Sequence, residues 1–490
     1  MIVFFNPRSS AARKPVLPLS LLSLAACLEG EEEYCFVDGN LEEDPATTLH
    51  RIISETGADL LAVTVMPGPQ LAQAVPLCRE LKSRYPHLKI VWGGYFPTQH
   101  FDVCLSGGPV DYVIRGHGED AFKKLVASRR AEGSIEEIPG LSYMTTRSGE
   151  LVDNGLAPVP DPEGLPDFPY HRLPVERYVR RTFMGRTLSH HSSYGCPFIC
   201  NFCAVVNMVK GRWKAQSAER TADATRFLVC RWNLDAVEFF DNNFFVDQAR
   251  VAEFSERICD LQISWWGEAR IDTLLMFSDQ TWSSMATSGL RMVFLGAESG
   301  SRSTLWRMNK GGTASPEKTL EIAEKAARFG IIPEFSFVLG TPPEPEAEVE
   351  ETVEFIRNLK KVNPACEIIL YLYTPVPLAG ELHDEALQAG LKWPTTLDEW
   401  LSPFWQEFVL RRSEGLPWIN RNVRQRIGNF ERVLNAYYPT TTDIRLTRSH
   451  RLLLRLLSGW RYHLRIYELP LELKLLQRLT SYQRPETIGF

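Results

Sequence analysis

The chain has 490 residues, of which 44% are hydrophobic and 23% are charged, and its formal net charge is −6. This length exceeds what one hydrophobic core supports and predicts about two to four domains. The negative charge argues against nucleic-acid binding, because phosphate recognition requires a basic surface. Ten scattered cysteines exclude a disulfide framework and indicate a reducing, cytoplasmic compartment, and no segment has the apolar length of a membrane-spanning helix.

Residues 1–132 alternate short apolar runs with amphipathic stretches, which predicts a doubly wound parallel α/β sheet of the Rossmann type. The predicted strands are Ile2–Phe5, Tyr34–Val37, Leu60–Val65, Lys89–Trp92 and Tyr112–Ile114. The predicted helices lie near 16–28, 45–56, 69–84, 97–105 and 119–129. Ligands of such sheets bind beyond the carboxyl ends of the strands. A dinucleotide site is not expected, because no G-x-G-x-x-G motif follows the first strand.

Residues 133–185 are predicted to be a linker with little structure of its own. Two short β-forming runs, 141–146 and 150–153, flank Ser148-Gly149 and predict a hairpin. The prolines that follow predict an extended connector; they are residues 158, 160, 162, 166 and 169.

Residues 186–394 repeat a strand followed by a helix six times, which predicts a partial (β/α)6 barrel. The predicted strands are Thr187–Ser193, Ala236–Phe240, Ile263–Ala269, Met292–Ala297, Glu334–Leu339 and Glu367–Tyr373. The predicted helices lie near 217–230, 247–259, 279–289, 316–330, 345–361 and 379–391. A barrel of this kind is open on one side and can admit a large substrate.

The first barrel strand leads into a C-x3-C-x2-C loop formed by Cys196, Cys200 and Cys203. Three thiolates at this spacing can hold a [4Fe–4S] cluster and leave one iron without a protein ligand. Structural zinc prefers four ligands, and His190 or His191 could supply the fourth, so zinc is the competing interpretation.

Polar residues recur where the barrel strands end, which is where barrel enzymes place their sites. They could bind the amine, carboxylate and hydroxyl groups of a cofactor that combines an amino acid with a ribose. These candidates are Asp241, Asn242, Asn243, Glu268, Arg270, Glu298, Ser299, Lys310 and Ser336.

The cysteine loop, with Phe202 directly before its last cysteine, resembles the signature of the radical S-adenosylmethionine (SAM) superfamily. The resemblance implies catalytic cysteines that hold a [4Fe–4S] cluster, and a SAM site that includes Phe202 and the strand-end residues. The segment around Glu298 resembles the motif that holds the SAM ribose, and Lys310 matches the position that faces its carboxylate. Asp241 to Asn243 stand where related enzymes contact the amine.

The first domain resembles the cobalamin-binding branch of that superfamily through residues 17–25, 37–40 and 91–94. The resemblance implies bound cobalamin, although the D-x-H-x-x-G motif that supplies an axial histidine is absent. The residues expected to contact cobalamin are Asn6, Thr64, Val65, Gly93, Gly94, Tyr95, Gly116, Gly118 and Glu119.

The function that the resemblance implies is reductive cleavage of SAM to a 5′-deoxyadenosyl radical, followed by cobalamin-dependent C-methylation of an unactivated carbon. An electron donor such as flavodoxin or ferredoxin is then required. The alternatives are a cyclase, a ring-contracting enzyme or a carbon–carbon coupling enzyme of the same superfamily, acting on a lipid or natural-product precursor. A non-catalytic cobalamin or redox sensor with a zinc-stabilised loop is the alternative from another class.

Residues 395–490 are predicted to be a helical cap that covers the open barrel. Its arginines alternate with leucines, and positions 448, 451 and 455 fall on one helical face. This pattern is typical either of a solvated arginine face or of a helix that lies on the inner surface of an anionic membrane. The second interpretation favours a lipid substrate over another small molecule.

Overall fold

The computed structural model describes residues 1–9, 15–131, 134–145, 148–310, 312–409 and 415–479. The strands are β1 Ile2–Asn6, β2 Tyr34–Asp38, β3 Leu60–Thr64, β4 Lys89–Gly93, β5 Tyr112–Ile114, β6 Leu141–Met144, β7 Leu151–Asp153, β8 Arg180–Thr182, β9 Gly185–His190, β10 Ser193–Gly195, β11 Trp213–Ala215, β12 Ala236–Phe239, β13 Ser264–Ala269, β14 Leu290–Glu298, β15 Ile332–Leu339 and β16 Glu367–Leu372.

The helices alternate with these strands and continue beyond them to the end of the described chain. They are α1 Leu19–Ala26, α2 Pro45–Thr56, α3 Pro69–Arg84, α4 Tyr95–Gln99, α5 Phe101–Ser106, α6 Glu119–Ala131, α7 Ala204–Val209, α8 Ala218–Trp232, α9 Gln248–Ile258, α10 Ile271–Leu275, α11 Asp279–Thr287, α12 Arg302–Arg307, α13 Pro316–Phe329, α14 Pro345–Val362, α15 Glu381–Gln388, α16 Leu397–Trp400, α17 Pro403–Val409, α18 Arg421–Tyr437, α19 Arg448–Leu464 and α20 Leu471–Leu479.

The first sheet has the strand order β2-β1-β3-β4-β5-β6-β7, and its first five strands are parallel. Apolar side chains are buried on both of its faces, as in other doubly wound sheets. The predicted doubly wound α/β fold is confirmed. The carboxyl ends of these strands therefore lie along one edge, where the predicted cobalamin residues are found.

Three details of residues 1–185 differ from the prediction. The hairpin β6–β7 does not lie in a linker, because β6 pairs antiparallel with β5 and extends the first sheet. Residue 146, part of the predicted hairpin, lies outside the described residues. The helix predicted near 97–105 is two short helices, α4 and α5, which meet at His100. Three short 3-10 turns interrupt the predicted extended connector, at Pro162–Gly164, Tyr170–Arg172 and Val175–Tyr178.

The second sheet has the order β16-β15-β14-β13-β12-β9-β8, and six of its strands are parallel. The short strand β8 pairs antiparallel with β9 at one edge. This is the predicted partial barrel. Its first strand is shorter than expected, since β9 ends at His190 and the chain then enters a separate ribbon in which β10 pairs with β11.

The last helices pack against both sheets. The Trp418 indole donates a hydrogen bond to the Gly340 carbonyl at 3.0 Å, at the end of β15. The Trp400 ring lies 5.2 Å from the Phe96 ring of α4, so the same region also contacts the first domain. The helical character predicted for this region is confirmed over the part that is described; residues 410–414 and 480–490 lie outside it. Among the described helices, none combines the length and the apolar composition required to span a membrane.

Candidate active site

The cysteine loop leaves the barrel and returns to it at the same place. The antiparallel pairing of Gly195 with Trp213 fixes the two ends of the segment 196–212 side by side. Gly195 has a φ of +79°, and a Cβ atom at this position would collide with the Arg212 carbonyl. Glycine is therefore required at the entrance of the loop.

A buried network anchors the loop to the second barrel strand. The Asp241 carboxylate accepts hydrogen bonds from the Ser192 amide at 3.1 Å, from the Ser192 hydroxyl at 2.9 Å and from the Ser193 hydroxyl. Arg250 donates to the Ser192 hydroxyl at 2.6 Å and to the Gln216 carbonyl at 2.7 Å, so it holds both sides of the ribbon. Burial raises the pKa of Asp241, while the charge of Arg250 opposes that shift. The structure thus gives Asp241 partners within the protein, whereas the sequence predicted a contact with SAM.

Two donors approach the sulfur atoms of the loop. The Arg270 guanidinium lies 3.3 Å from Cys200 Sγ and is stacked 3.8 Å above the Phe198 ring. The Asn243 side-chain amide lies 3.9 Å from Cys196 Sγ. Donors to cysteine sulfur stabilise the thiolate form that iron–sulfur clusters require. Arg270 therefore contacts the cluster loop, and its predicted contact with SAM remains untested.

The donor set fits a cluster with one thiolate per iron. Among the described residues, no three His, Cys, Asp or Glu side chains converge on a single metal-ion position. A cube distributes its cysteines over different irons, so its ligands need not converge on one point. Burial raises the pKa of Cys203 to about 12 in the protein alone, so a metal charge is needed to stabilise its thiolate. Of the two histidines considered for zinc, His190 pairs with the Tyr170 hydroxyl at 2.9 Å and His191 packs 5.0 Å from the Tyr194 ring.

A buried ion pair stands at the end of β14. Lys310 Nζ lies 2.6 Å from Glu298 Oε1 and also contacts the Gly296 carbonyl. Glu298 has a φ of +65°, at a register shift between β14 and β15, which turns its side chain away from the regular strand direction. Glu298 and Lys310, the residues predicted to contact the SAM ribose and carboxylate, thus pair with each other. A cofactor with an amino-acid group and hydroxyls could be shared between these two charges.

Three of the other predicted SAM residues differ from one another in burial and in surroundings. Ser299 is buried, and its hydroxyl pairs with Glu348 at 3.2 Å and Thr352 at 3.1 Å on α14. Asn242 is exposed. Glu268 lines the interior of the barrel, where burial and the charge of Asp241 raise its pKa to about 8.

The two remaining predicted residues lie on a barrel strand and in the cysteine loop. Ser336 is buried on β15, in register with Gly296 of β14. Phe202, which belongs to the cysteine loop, is half-buried and packs against the core.

The predicted cobalamin loops form one continuous rim. The Val65 amide donates to the Gly93 carbonyl at 2.8 Å, and the Phe96 amide donates to the Val65 carbonyl at 3.1 Å. Gly94 has a φ of +98°, and an added Cβ would press against Thr64 Oγ1 at 3.2 Å. Tyr95 begins α4 directly after this turn.

Neighbouring strand ends complete the rim. Gly116 also has a positive φ, and its amide donates to Thr98 Oγ1 at 3.0 Å. Asn6 accepts from the Gln70 side chain at 2.9 Å. At Gly93 an added Cβ would meet only the Ile114 carbonyl at 3.9 Å, so this turn leaves room for a ligand to approach the backbone closely.

A polar bridge joins the cobalamin rim to the cysteine loop, and sequence reasoning missed it. Ser23 Oγ lies 2.8 Å from Glu119 Oε1 and 2.8 Å from the Tyr194 hydroxyl, which stands two residues before Cys196. The His117 ring lies 4.7 Å from the Tyr194 ring. Gly118, at the start of this bridge, is close to α1, because an added Cβ would lie 3.0 Å from the Leu24 side chain. Ser23 and Tyr194 are 171 residues apart, and no local pattern in the sequence pairs them.

A second contact between the same two regions follows the last cysteine. Helix α7 begins at Ala204 and packs against α4 of the first domain. The Asn207 amide of α7 donates to the Gln99 side chain and to the Pro377 carbonyl at 3.2 Å. The cysteine loop thus contacts the cobalamin rim on both of its sides.

Comparison with known proteins agrees with this geometry. The B12 binding domain family matches residues 10–126, and the Radical SAM superfamily matches residues 191–356. An uncharacterized methyltransferase of Pyrococcus horikoshii is 28% identical over 73% of this chain and 78% of its own length. The hopanoid C-3 methylase of Methylococcus capsulatus is 26% identical over 64% of this chain, which spans 58% of that protein.

Solved structures show the same fold. The radical SAM methyltransferase TsrM from Kitasatospora setae, solved with cobalamin and a [4Fe–4S] cluster, superposes with a TM-score of 0.62 at 19% identity over 79% of this chain and 75% of its own. The cobalamin-dependent radical SAM enzyme OxsB superposes with a TM-score of 0.67 at 16% identity over 98% of this chain and 75% of its own.

The two family matches cover the first domain and then the barrel, in that order. They support the three cofactors that the sequence predicted: the iron–sulfur cluster, SAM and cobalamin. The assignment of individual residues to SAM or to cobalamin stays a prediction. The chain belongs to the cobalamin-binding branch of the radical SAM superfamily and is an enzyme of that branch.

Proposed function

We propose that the enzyme transfers a methyl group to an unactivated carbon of a small-molecule or lipid substrate. Each turnover consumes two SAM molecules and two electrons: one SAM becomes methionine and 5′-deoxyadenosine, and the other donates its methyl group by way of cobalamin and becomes S-adenosylhomocysteine. The hydrogen removed from the substrate carbon ends on 5′-deoxyadenosine. A flavodoxin or ferredoxin is the proposed source of the electrons.

The observation that supports this proposal is the double contact between the cysteine loop and the cobalamin rim. Tyr194 reaches Ser23 on one side of the loop, and α7 packs against α4 on the other. A methyl donor held by the rim would therefore face the site where SAM is cleaved. Methyl transfer needs this proximity, because the substrate radical must meet the donor before it meets solvent.

Residues inside the barrel are suited to protect such a radical. The Trp266 ring lies 5.8 Å from Phe240 and 6.4 Å from Phe294, and all three are half-buried on the inner surface. Aromatic C–H bonds are poor hydrogen-atom donors, so these rings would not quench a radical formed beside them. Glu298 and Lys310 supply an acceptor and a cation where SAM is expected to bind, and Arg270 stabilises the thiolate of Cys200.

Isotope transfer tests this proposal. Cells with and without the gene would be fed methionine carrying a trideuterated methyl group, and their small-molecule and lipid extracts would be compared by mass spectrometry. We expect a compound that gains the intact trideuteromethyl group only when the gene is present. In vitro, the reconstituted enzyme should form equal amounts of S-adenosylhomocysteine and 5′-deoxyadenosine with that compound. Formation of 5′-deoxyadenosine without transfer of label would refute methylation and leave the radical chemistry in place.

A further inference from the structure

The last two helices present an apolar surface to solvent. On α19 the exposed large side chains are Leu452, Leu453, Leu456, Leu457, Trp460 and Leu464. At about 100° per residue these six positions fall within less than half of the helix circumference. The opposite side of α19 is buried through Leu454, Ser458 and Tyr462. The helix is therefore packed on one face and apolar on the face that points outward.

The apolar surface continues beyond α19. Ile466, Leu469, Leu471 and Leu475 are also exposed, and Leu469 retains 73% of its accessible surface. Exposed apolar patches that extend over two elements normally mark an interaction site. The surface formed by these ten residues of α19, α20 and their connection is called the apolar face below.

Positive charge borders the apolar face. From residue 444 to residue 475, the range that holds the apolar face, the sequence contains six arginines and one lysine but only two acidic residues, Glu468 and Glu472. Arg445, Arg448 and Arg455 are exposed. Arg461 is used inside the fold, where it pairs with Glu472, and Arg465 pairs with Glu354 at 2.9 Å. The exposed arginines stand beside the leucines, and Trp460 lies among them with 49% of its surface exposed.

We propose that the apolar face docks on an anionic lipid bilayer. Leucines and a tryptophan at this exposure suit the boundary between acyl chains and headgroups, and arginines suit anionic headgroups. A second copy of the chain fits less well, because a two-fold contact would bring the two arginine borders together. The segment 480–490 is also a poor cover, since its only large apolar residues are Tyr482, Ile488 and Phe490. This proposal does not depend on the proposed methyl transfer.

Vesicle co-sedimentation of the full chain tests the docking. We expect binding to vesicles that contain phosphatidylglycerol, and much weaker binding to vesicles of phosphatidylcholine alone. The double substitution Leu456→Ser and Trp460→Ser should abolish binding. Arg448→Gln with Arg455→Gln should weaken binding by about 25-fold, because each arginine near an anionic surface contributes about fivefold.

Matched substitutions control for nonspecific effects. Met276 is 76% exposed far from these helices in the sequence, so Met276→Ser should leave binding unchanged. Arg291→Gln with Lys361→Gln removes the same charge from other exposed positions and should also leave it unchanged. Trp460 and Arg455 take part in cation–π contacts, with Arg461 and Tyr437 respectively, so circular dichroism on heating is used to verify that each variant folds.

Three results would overturn the proposal. One is the absence of binding to phosphatidylglycerol vesicles, and another is equal binding to phosphatidylcholine vesicles. The third is a dimer in solution that the Leu456→Ser and Trp460→Ser variant converts to monomer, which would assign the apolar face to a second copy. Removal of residues 480–490 should leave vesicle binding as it is; a gain of binding only after this removal would mean that the tail covers the apolar face.

Discussion

Substitution of Asp241 by asparagine should release the cysteine loop from the barrel. The carboxylate is fully buried and accepts hydrogen bonds from the Ser192 amide, the Ser192 hydroxyl and the Ser193 hydroxyl. Hydrogen bonds to a charged group contribute about 1.5–3 kcal/mol, compared with about 0.5–1.5 kcal/mol for neutral ones. Three such bonds that each weaken by about 1 kcal/mol give a local loss of about 3 kcal/mol.

Native-state hydrogen exchange measures this loss where it occurs. A local loss of about 3 kcal/mol corresponds to exchange that is about 100-fold faster for the amides of residues 192–195, since 1.4 kcal/mol is a factor of ten. Global unfolding is a poorer readout, because a chain of several domains does not unfold in two states. Cluster reconstitution should also fall, because the loop no longer presents its thiols in a fixed arrangement.

The double substitution Asp241→Asn with Arg250→Met separates two causes. Arg250 is 8% exposed and donates to the Ser192 hydroxyl, so loss of Asp241 alone removes the largest of the negative charges that compensate this buried cation. The double variant should recover part of the protection. Asp260→Asn, at an exposed ion pair with Arg226, serves as the control and should not change exchange in this segment.

A different result would restore the role that the sequence predicted for Asp241. If Asp241→Asn leaves exchange and cluster content unchanged but weakens SAM binding in equilibrium dialysis, Asp241 is a ligand for SAM and the anchoring argument fails. Unchanged exchange together with unchanged SAM binding would refute both roles.

Three further predictions concern the site itself. Replacement of Cys196, Cys200 and Cys203 by alanine should remove the broad visible absorption of the cluster and all 5′-deoxyadenosine formation, whereas alanine at the exposed Cys230 and Cys259 should change neither. Glu298→Gln should spare the cluster but weaken SAM binding about tenfold in dialysis, because a charged acceptor beside Lys310 is lost; unchanged affinity would contradict the assignment. Glu268 has a pKa of about 8 against an ordinary value of 4.5, so unfolding releases its proton and stability should fall as pH rises between these values. Glu268→Gln should flatten part of that fall in the opening free energies that native-state hydrogen exchange gives for the amides of β13; identical pH profiles would show that Glu268 is ionised in the folded protein.

The fold was largely predictable because its signals are local. Parallel strands buried on both faces are continuous apolar runs, and the order of strands and helices then fixes the sheet type. The exceptions are pairings at an edge: β6 joins β5, and the ribbon β10–β11 interrupts the first barrel strand. A run as short as Ser193–Gly195 has no sequence pattern that predicts which strand it pairs with.

The site was predictable at the level of position and less so at the level of contacts. The rule that function collects at strand ends placed Glu298, Lys310 and Arg270 in one region, and the structure brings all three there. The strand-end rule could not show that Lys310 pairs with Glu298, or that Arg270 contacts Cys200, which is 70 residues away in the sequence. Such partners depend on which side chains the folded backbone brings together, and spacing along the chain does not contain that information.

The two contacts of the cysteine loop also constrain how the domains can move. Cys203 directly precedes α7, which packs against α4, and α4 begins directly after the Gly93-Gly94 turn of the cobalamin rim. On the other side, Tyr194 connects through Ser23 to Glu119 at the start of α6. A shift of the rim would therefore act on the loop from both ends, and the loop is itself fastened to the barrel by Asp241 and Arg250. The distance between the cobalamin rim and the cysteine loop is thus set by packing and hydrogen bonds near the loop, rather than by the linker that joins the domains.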